Sequence, residues 1–464
     1  MSTSHAPPGA DRPLLHFTPP SGWLNDPNGL VRHRGLYHLY FQHNPDSTDW
    51  GNLHWGHAVS RDLVRWEHRP IAMAPDEHGL IFSGTTVADD RGTSGFGAGS
   101  LVAVFTHDDG GRQRQSLAHS DDGDTWSKFD GNPVLSPPAG IRNFRDPKVR
   151  RHDGDDGSWW TMVLAVETEL WFFTSADLRS WTRSATFRPV LPHRDPILEV
   201  PDLFVLRDET GEDRWVAMVC AIPTREGGPE ARVFWAVGDF DGVVFSPLDP
   251  TEPWRALDDG VALYAAMAWD RADGADAVAI AWLDERLDTT GIQRPWRGRM
   301  SVPRRLDLRR FGGRPRLVQQ PVLPDGETER CTTRPGERAP TFAAGRCAAI
   351  AVELGVDQRR SVELRLHDPE TALTTTIRVQ GDVVAIERPS ERAPATSRSA
   401  LDPSSDERTL LVVVDHGSLE VFCDGGASQS FVGWEGTSPI EVEVTNIGAT
   451  PVRTEVRRWT ADRL

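Results

Sequence analysis

The chain has 464 residues, of which 38% are apolar and 26% are charged, a composition typical of a folded globular protein. Its 51 Lys and Arg residues against 68 Asp and Glu give a formal net charge of −17. Such an acidic chain argues against nucleic acid and anionic membranes as partners, because both attract clustered positive charge. No run of 18 apolar residues is present, so we expect no membrane span. Because no secretory signal is visible at the N-terminus, we expect a cytoplasmic protein.

The cysteines predict neither a zinc site nor a disulfide framework. Cys220, Cys331, Cys347 and Cys423 lie far apart and form no C-x-x-C pair, and a Cys331–Cys347 bridge is the one alternative considered. Because no His, Asp and Glu cluster has ligand-like spacing, we expect no metal site.

Short runs of β-branched and aromatic residues recur along the chain, separated by Gly, Pro and Asp. The predicted strands before residue 300 are Leu36–Phe41, Leu101–Thr106, Trp159–Val166, Leu170–Thr174, Trp215–Ala221, Val233–Val237 and Ala277–Leu283. Many short strands with frequent turns favour an all-β sandwich, barrel or propeller.

A repeated pattern selects among these folds. Ser-x-Asp-x-x-x-Trp occurs at residues 60–66, 120–126 and 175–181, and Gly238-Asp239-Phe240-Asp241-Gly242 resembles a degenerate fourth copy. One such turn per 55 to 60 residues is typical of a four-stranded propeller blade. Over about 310 residues this period predicts five blades, although chance recurrence of turn residues is the alternative.

The C-terminal part differs in composition, since 15 of the 17 tryptophans precede residue 300. After a polar stretch at 324–340, hairpin turns are predicted at Gly381-Asp382 and 415–417. The strands predicted around them are Ser361–His367, Thr374–Val379, Val383–Glu387, Thr409–Val414 and Ser418–Cys423. We therefore expect a five-bladed β-propeller at residues 14–322 followed by a C-terminal β-sandwich at residues 335–464.

Three segments carry acids in unusual settings. Asp26 precedes Pro27, which favours an extended conformation and would hold the carboxylate at a strand end. Asp146 also precedes a proline and follows Arg145, which could hold the carboxylate ionised or bind a substrate hydroxyl. Glu199 follows an apolar run, and an apolar setting suits a general acid. Taken singly, the three fit an Asx-turn, a surface ion pair and an exposed strand end.

Together these acids supply the parts of a glycosidase. A retaining glycosidase needs a nucleophile and an acid/base, and this chain has one further carboxylate. Aromatic side chains that could stack on a sugar are also plentiful. The candidates are Trp23, Trp50, Trp55, Phe82 and Trp282.

The chain resembles glycoside hydrolase family 32, the invertase, levanase and exo-inulinase family. The matching segments are WLNDPNG (23–29), YFQHNP (40–45), WGNLHWGHAVS (50–60), FSG (82–84), FRDPKV (144–149), EVPDLF (199–204), VGDFDG (237–242), YAA (264–266), PWRGRMSVPRRL (295–306), LVQQPV (317–322) and GSLEVFCDGG (417–426). The resemblance implies a retaining, exo-acting β-fructofuranosidase that needs no cofactor. Among the substrates that the resemblance leaves open, the lack of a visible secretory signal favours sucrose and fructo-oligosaccharides, with the fructan polymers levan and inulin as alternatives.

The resemblance also implies residue roles. Asp26 would be the nucleophile, Glu199 the general acid/base and Asp146 the transition-state stabiliser. The fructosyl ring would be bound by Asn25, Gln42, Trp50, Phe82, Ser83, Arg145, Tyr264 and Trp282.

Two departures from the family pattern bear on specificity and pH dependence. Val200 stands where the family usually has Cys after the acid/base, and Asp284-Glu285-Arg286 replaces an Asn-rich stretch after Trp282. We expect these three residues to line the outer pocket. The alternatives to a β-fructofuranosidase are a fructosyltransferase on the same scaffold, a non-catalytic sugar-binding propeller and a five-bladed arabinanase- or xylosidase-like enzyme.

Overall fold

The structure is a computed structural model. It describes residues 12–461 except 155–156, 225–230, 270–276, 286–293, 355–360, 389–394, 402–407, 425 and 434–438. Within these ranges we find no helix with the length and apolar character that a membrane span requires.

The described residues form β-strands along the whole chain. The strands before residue 322 are β1 Gly22–His33, β2 Leu36–Asn44, β3 His54–Ser60, β4 Glu67–Met73, β5 Leu80–Asp89, β6 Ser100–Asp108, β7 Gln113–Ser120, β8 Ser127–Lys128, β9 Phe144–Gly154, β10 Gly157–Val166, β11 Glu169–Ser175, β12 Thr182–Phe187, β13 Ile197–Arg207, β14 Asp213–Ile222, β15 Arg232–Phe240, β16 Phe245–Pro247, β17 Arg255–Ala256, β18 Leu263–Trp269, β19 Ala277–Leu283, β20 Trp296–Arg297, β21 Arg299–Met300, β22 Arg304–Phe311 and β23 Arg314–Pro321. The later strands are β24 Glu327–Thr333, β25 Phe342–Gly345, β26 Cys347–Leu354, β27 Ser361–His367, β28 Thr374–Gln380, β29 Val383–Arg388, β30 Ala395–Ala400, β31 Arg408–Asp415, β32 Ser418–Cys423, β33 Ala427–Val432, β34 Ile440–Asn446 and β35 Val452–Arg458. The all-β class predicted from the sequence is confirmed.

Strands β1 to β23 form five sheets of four or five strands, built mainly from consecutive antiparallel neighbours. Their first strands, β1, β5, β9, β13 and β18, contact one another in a closed cycle. Apolar side chains fill the spaces between neighbouring sheets, as where Tyr40 and Trp55 of the first sheet pack on Phe105 of the second. The short strand β20 pairs with β1 in parallel and so returns the chain to the first sheet.

The repeated sequence pattern forms the same turn between the third and fourth strands of three sheets. In each turn the Asp side chain accepts hydrogen bonds from the backbone N–H groups two and three residues later, at 2.8 to 3.0 Å. Asp241 makes the same two bonds in the fourth sheet, to Val243 and Val244. The degenerate fourth copy is therefore confirmed, and its aspartate is Asp241.

Strands β24 to β35 form two six-stranded sheets that pack face to face on one apolar core. The alternating burial of β27, with Val362, Leu364 and Leu366 inside, is what a sheet with one solvated face requires. β24 pairs along its whole length with β35, so this part of the chain begins before residue 335, where the sequence placed its start. The sequence missed β24 because its side chains are mostly exposed and polar.

A buried charged network joins the two parts of the molecule. His16 contacts Asp415 and Glu420, each at 2.8 Å, and all three side chains are fully buried. Arg304 pairs with the other oxygen of Glu420 and with Asp258 at 3.2 Å. None of the four cysteines, all of which lie in the described part of the chain, is in a disulfide, so the alternative Cys331–Cys347 bridge is not formed.

Candidate active site

One cavity of about 310 Å³ brings together the eleven side chains to which the family resemblance assigns a role in catalysis or in binding the fructosyl ring. Its lining residues on that prediction are Asn25, Asp26, Gln42, Trp50, Phe82, Ser83, Arg145, Asp146, Glu199, Tyr264 and Trp282. The first strand of every one of the five sheets contributes at least one of them. Leu53, Ile222 and Ala231 complete the lining, and they could not be recognised from the sequence because an apolar side chain has no distinctive chemistry.

Each of the five first strands carries a β-bulge beside its cavity residues. The register shifts lie between Leu24 and Pro27, Ile81 and Gly84, Arg145 and Lys148, Glu199 and Asp202, and Tyr264 and Met267. Within three of the bulges a non-glycine residue has a positive φ, at Asp146, Val200 and Ala265. A bulge bends its strand and redirects side chains, so adjacent residues that would point to opposite faces can reach one cavity.

The proline after Asp26 has a different role from the one expected. We predicted that Pro27 would hold the carboxylate at a strand end, but Asp26 lies inside the 12-residue strand β1. Proline cannot donate a ladder hydrogen bond and is tolerated in a sheet at bulges. Pro147 and Pro201 occupy the equivalent bulges of β9 and β13.

The Asp26 carboxylate accepts a hydrogen bond on each oxygen. Asn25 Nδ2 donates to Oδ1 and Ser83 Oγ donates to Oδ2, both at 3.0 Å. Asn28, which is fully buried, extends the network by donating to Ser83 Oγ at 3.1 Å and accepting from Gln42 Nε2 at 2.9 Å. Asn28 was part of a predicted motif without a predicted role, and the structure identifies it as a residue that positions Ser83.

The Glu199 carboxylate is held by two side chains from other sheets. Arg145 donates to Oε1 from Nη2 at 2.7 Å and from Nε at 3.2 Å, and the Tyr264 hydroxyl donates to Oε2 at 2.7 Å. Burial raises the pKa of Tyr264 well above its ordinary value, and the charge of Glu199 adds to the effect. The tyrosine therefore stays protonated and acts as a hydrogen-bond donor.

Asp146 lies close enough to both other acids for their charges to act on it. Burial, which has the largest effect, and the charges of Glu199 and Asp26 together raise the pKa of Asp146 to about 7, against the opposing charge of Arg145. The backbone N–H of Val200 donates to Oδ2 at 2.9 Å. Three carboxyl groups from β1, β9 and β13 thus share one small cavity with one guanidinium group.

An ion pair behind the cavity fixes the relative positions of three of these first strands. Lys148 Nζ lies 2.6 Å from Asp202 Oδ1, and both side chains are almost fully buried. Asp202 Oδ2 accepts from the backbone N–H of Ala268 in β18 at 2.6 Å. Lys148 and Asp202 belong to the motifs FRDPKV and EVPDLF, and neither had a predicted role.

The stretch after Trp282 does not have the position we predicted. Glu285 is 2% exposed, accepts from the backbone N–H of Gly298 at 2.9 Å and pairs with the guanidinium group of Arg299. It is therefore a buried structural residue, and Asp284 is absent from the cavity lining. Arg286 lies outside the described residues. The prediction rested on the position of this stretch directly after Trp282, and the pairing of Glu285 with Arg299, 14 positions later, is not recognisable from the sequence.

Two further side chains belong to the core. Trp55 is fully buried and donates to the carbonyl of Phe82 at 3.0 Å, so it offers no face to a sugar. His57 is stacked on Tyr40 with ring centroids 4.3 Å apart. Among the described residues, no group of three His, Cys, Asp or Glu side chains could hold a metal ion.

Comparison with known families gives a match over most of the chain. The family model described as Glycosyl hydrolases family 32 N-terminal domain matches residues 16–321. The chain is 40% identical over 332 residues to a levanase of Bacillus subtilis, which covers 70% of this chain and 48% of the levanase. It is 37% identical over 353 residues to an extracellular exo-inulinase of Aspergillus awamori, covering 67% of this chain and 64% of the relative. The chain therefore spans about half the length of the levanase and less than two thirds of the exo-inulinase.

Solved structures match the whole architecture. The crystal structure of exo-inulinase from Aspergillus awamori has a TM-score of 0.86 at 28% identity, covering 97% of this chain and 99% of that chain. The structure of β-fructofuranosidase from Schwanniomyces occidentalis complexed with fructosyl-erythritol has a TM-score of 0.84 at 27% identity, covering 97% of each chain.

Proposed function

The chain belongs to glycosyl hydrolase family 32, and on that premise we propose that it is a retaining, exo-acting β-fructofuranosidase. Its substrates would be sucrose and fructo-oligosaccharides, from which it would release the terminal β-D-fructofuranosyl residue. The observation that carries this proposal is the meeting of Asp26, Asp146 and Glu199, from three different sheets, in one cavity with Arg145. Glycosidases work with a pair of carboxyl groups, and this cavity supplies the pair together with a third carboxyl group that can stabilise positive charge.

In the proposed reaction, Asp26 attacks the anomeric C2 of the fructosyl unit while Glu199 protonates the departing glycosidic oxygen. The C2–O bond to the leaving group breaks and a covalent fructosyl-enzyme forms on Asp26. Glu199, now deprotonated, takes a proton from water, which attacks C2 and releases β-fructose. The two inversions at C2 give net retention.

The hydrogen bonds at the two acids suit these different roles. Asn25 and Ser83 give Asp26 a fixed orientation, as attack on a single carbon requires. Tyr264 and Arg145 together orient Glu199, whose side chain keeps 21% of its surface exposed at the cavity. Asp146 would bind ring hydroxyls and stabilise the oxocarbenium-like transition state.

The mouth of the cavity is the proposed site for the leaving group. Trp50 is 56% exposed and its ring lies edge-on to Phe82, with centroids 6.2 Å apart. Ile222 and Ala231 add apolar surface to the lining. An exposed aromatic ring beside apolar walls can pack against the sugar that departs.

The arrangement of the sheets leads to a proposal about the domains. We propose that the five sheets are the blades of a five-bladed β-propeller of residues 14–322, since their first strands close a cycle around the site. We also propose that the two later sheets form a separate β-sandwich domain, beginning at β24.

Exo-hydrolysis of fructan polymers is the second candidate, because levanase and exo-inulinase are among the similar relatives. One panel tests both candidates: the purified protein is incubated with sucrose, kestose, levan and inulin, and released fructose is measured. The first candidate predicts the highest kcat/KM on sucrose or kestose. Higher kcat/KM on levan or inulin would establish the second, and no fructose from any substrate would refute both.

A further inference from the structure

Glu167 lies outside the cavity lining, in the turn between β10 and β11, and contacts both strand segments that carry the site's Arg–Asp pair and its acid/base. Its backbone N–H donates to the carbonyl of Asn143 at 3.1 Å, and its own carbonyl accepts from the N–H of Leu198 at 2.8 Å. Asn143 immediately precedes β9, and Leu198 is next to Glu199. One residue therefore ties the start of β9 to the start of β13.

The side chain of Glu167 makes three more hydrogen bonds, all towards β9. Oε1 accepts from the backbone N–H groups of Arg142 at 2.8 Å and Asn143 at 3.1 Å, and Oε2 accepts from Asn143 Nδ2 at 2.8 Å. The residue adopts φ 52°, a left-handed conformation that is unfavourable for a side chain with a Cβ. The five hydrogen bonds of Glu167 offset the free-energy cost of this conformation. Such a conformation persists only where the surrounding structure holds the residue in place.

The chain of hydrogen bonds continues to the acid/base. The amide oxygen of Asn143 accepts from Arg145 Nη1 at 2.5 Å, and Arg145 Nη2 donates to Glu199 at 2.7 Å. An ionised carboxylate only accepts hydrogen bonds and a guanidinium group only donates them. The amide of Asn143 can satisfy both neighbours in one orientation alone, with its NH₂ group towards Glu167 and its oxygen towards Arg145.

We propose that Glu167 is a positioning residue for catalysis, which fixes the orientation of the Asn143 amide and through it the guanidinium group of Arg145 against Glu199. The proposal rests on the proposed function, because its kinetic effect presupposes that Glu199 is the acid/base. Partial burial alone would raise the pKa of Glu167. Hydrogen bonds from the Asn143 side chain and from the backbone of Arg142 and Asn143 outweigh burial and lower this pKa. The carboxylate is thus ionised at neutral pH, as this network requires.

The substitution Glu167→Gln tests the polarity of the chain while preserving shape. The new amide can still accept the two backbone hydrogen bonds, but its NH₂ group then faces the NH₂ group of Asn143. If Asn143 rotates to offer its oxygen, it turns its own NH₂ group towards Arg145. Either way one pair of donors is opposed, so the Asn143 amide no longer has one fixed orientation and holds Arg145 less firmly, although Gln113 Oε1 still accepts from Arg145 Nη1 at 3.2 Å.

We expect Glu167→Gln to lower kcat on sucrose about 10- to 100-fold with KM changed less than about 3-fold, because a small misplacement of a catalytic group is costly. The double variant Glu167→Gln/Asn143→Asp should recover most of this loss, since the new carboxylate accepts from both neighbours. Glu169→Gln is the matched control: it removes the same charge two residues away, at the start of β11, but Glu169 accepts its hydrogen bond from Trp171 Nε1. It should retain wild-type kcat within about 2-fold.

The alkaline limb of the kcat–pH profile gives a second, independent readout. Loss of a negative charge alone would favour ionisation of the acid and move this limb to lower pH, whereas release of Arg145 disfavours ionisation and moves it to higher pH. An upward shift in Glu167→Gln, absent from the Glu169→Gln control and reversed in the double variant, is the expected result. An unshifted or lowered limb, or a double variant no better than the single one, would overturn the proposal.

Crystal structures of the wild type and of Glu167→Gln separate this inference from the proposed function. If wild-type protein releases fructose but Arg145 keeps its place and kcat is unchanged in the variant, the inference fails and the proposed function stands. If wild-type protein releases no fructose, the proposed function fails and the positioning role in catalysis fails with it. In that case, displacement of Arg145 in the crystal structure of Glu167→Gln would support a structural role of Glu167 in placing Arg145 and no role in catalysis.

Discussion

The backbone N–H of Val200 donates a hydrogen bond to Oδ2 of Asp146 at 2.9 Å, across the boundary between the third and fourth sheets. Both residues have positive φ and both lie in β-bulges. The bond therefore couples the strand segment of the proposed stabiliser to that of Glu199. Because it uses the backbone, the bond does not depend on the side chain at position 200, which is where the sequence departs from the family pattern.

The substitution Asp146→Asn keeps the shape of the side chain and removes its charge. The transition state would lose an interaction that is stronger there than in the bound substrate, so kcat should fall by roughly 10²- to 10⁴-fold with a modest change in KM. Steady-state kinetics on sucrose measure this. A variant with near wild-type kcat would limit Asp146 to a structural role.

The raised pKa of Asp146 also predicts how stability depends on pH. The pKa is about 7 in the folded protein and ordinarily 3.8, so the folded state binds the extra proton between these values. The stabilisation from that proton is fully present below pH 3.8 and is lost as the pH rises through about 7. The Asn variant cannot titrate at this position. Its free energy of unfolding should therefore increase relative to that of the wild type as the pH rises from 4 to 7. Denaturant titrations of both proteins across this range test it, and a constant difference would contradict the raised pKa.

Glu285 should affect stability and leave substrate preference unchanged. Glu285→Ala removes one partner of a buried ion pair and leaves the Arg299 charge with a partner missing, which typically costs about 3–5 kcal/mol. Urea unfolding measures this loss, and the ratio of kcat/KM for sucrose and kestose should not change. A changed ratio with unaltered stability would return Glu285 to the substrate side of the site.

His16 should contribute to stability through the network that joins the two parts of the chain. Hydrogen bonds to Asp415 and Glu420 raise the pKa of His16 even though burial opposes this, while His16 helps to lower the pKa of Asp415 to about 2. His16→Ala leaves two buried carboxylates without their shared partner, so a loss of about 3–5 kcal/mol is expected. His367→Ala, which removes a single hydrogen bond to Thr374, is the control and should cost far less. Equal losses of unfolding free energy in the two variants would show that the His16 network stabilises the protein no more than a single hydrogen bond does.

The sequence was most informative where chemistry and backbone geometry coincide. Strand alternation predicted β27 and β32 to the residue, and the Asp-x-x-x-Trp turns were recognisable because the carboxylate bonds to nearby backbone. Asp26 and Asp146 were recognisable because each directly precedes a proline, and Glu199 because it follows an apolar run. Contacts between distant segments left no such signal. The pairing of Glu285 with Arg299, the hydrogen bonds from Glu167 and the role of Lys148 depend on tertiary packing, which local sequence does not encode.

The central claim is that Asp26 is the nucleophile and Glu199 the acid/base of a retaining hydrolysis. The most direct test is the product that Glu199→Ala forms from p-nitrophenyl β-D-fructofuranoside in the presence of azide. This leaving group needs no protonation, so the fructosyl-enzyme should form rapidly and release a burst of nitrophenol. The intermediate should then accumulate, because without Glu199 only a nucleophile that needs no base can release it. Azide should restore turnover and give fructosyl azide of retained configuration, while Asp26→Ala should show neither burst nor rescue. An azide product of inverted configuration, or rescue in Asp26→Ala, would contradict the assignment.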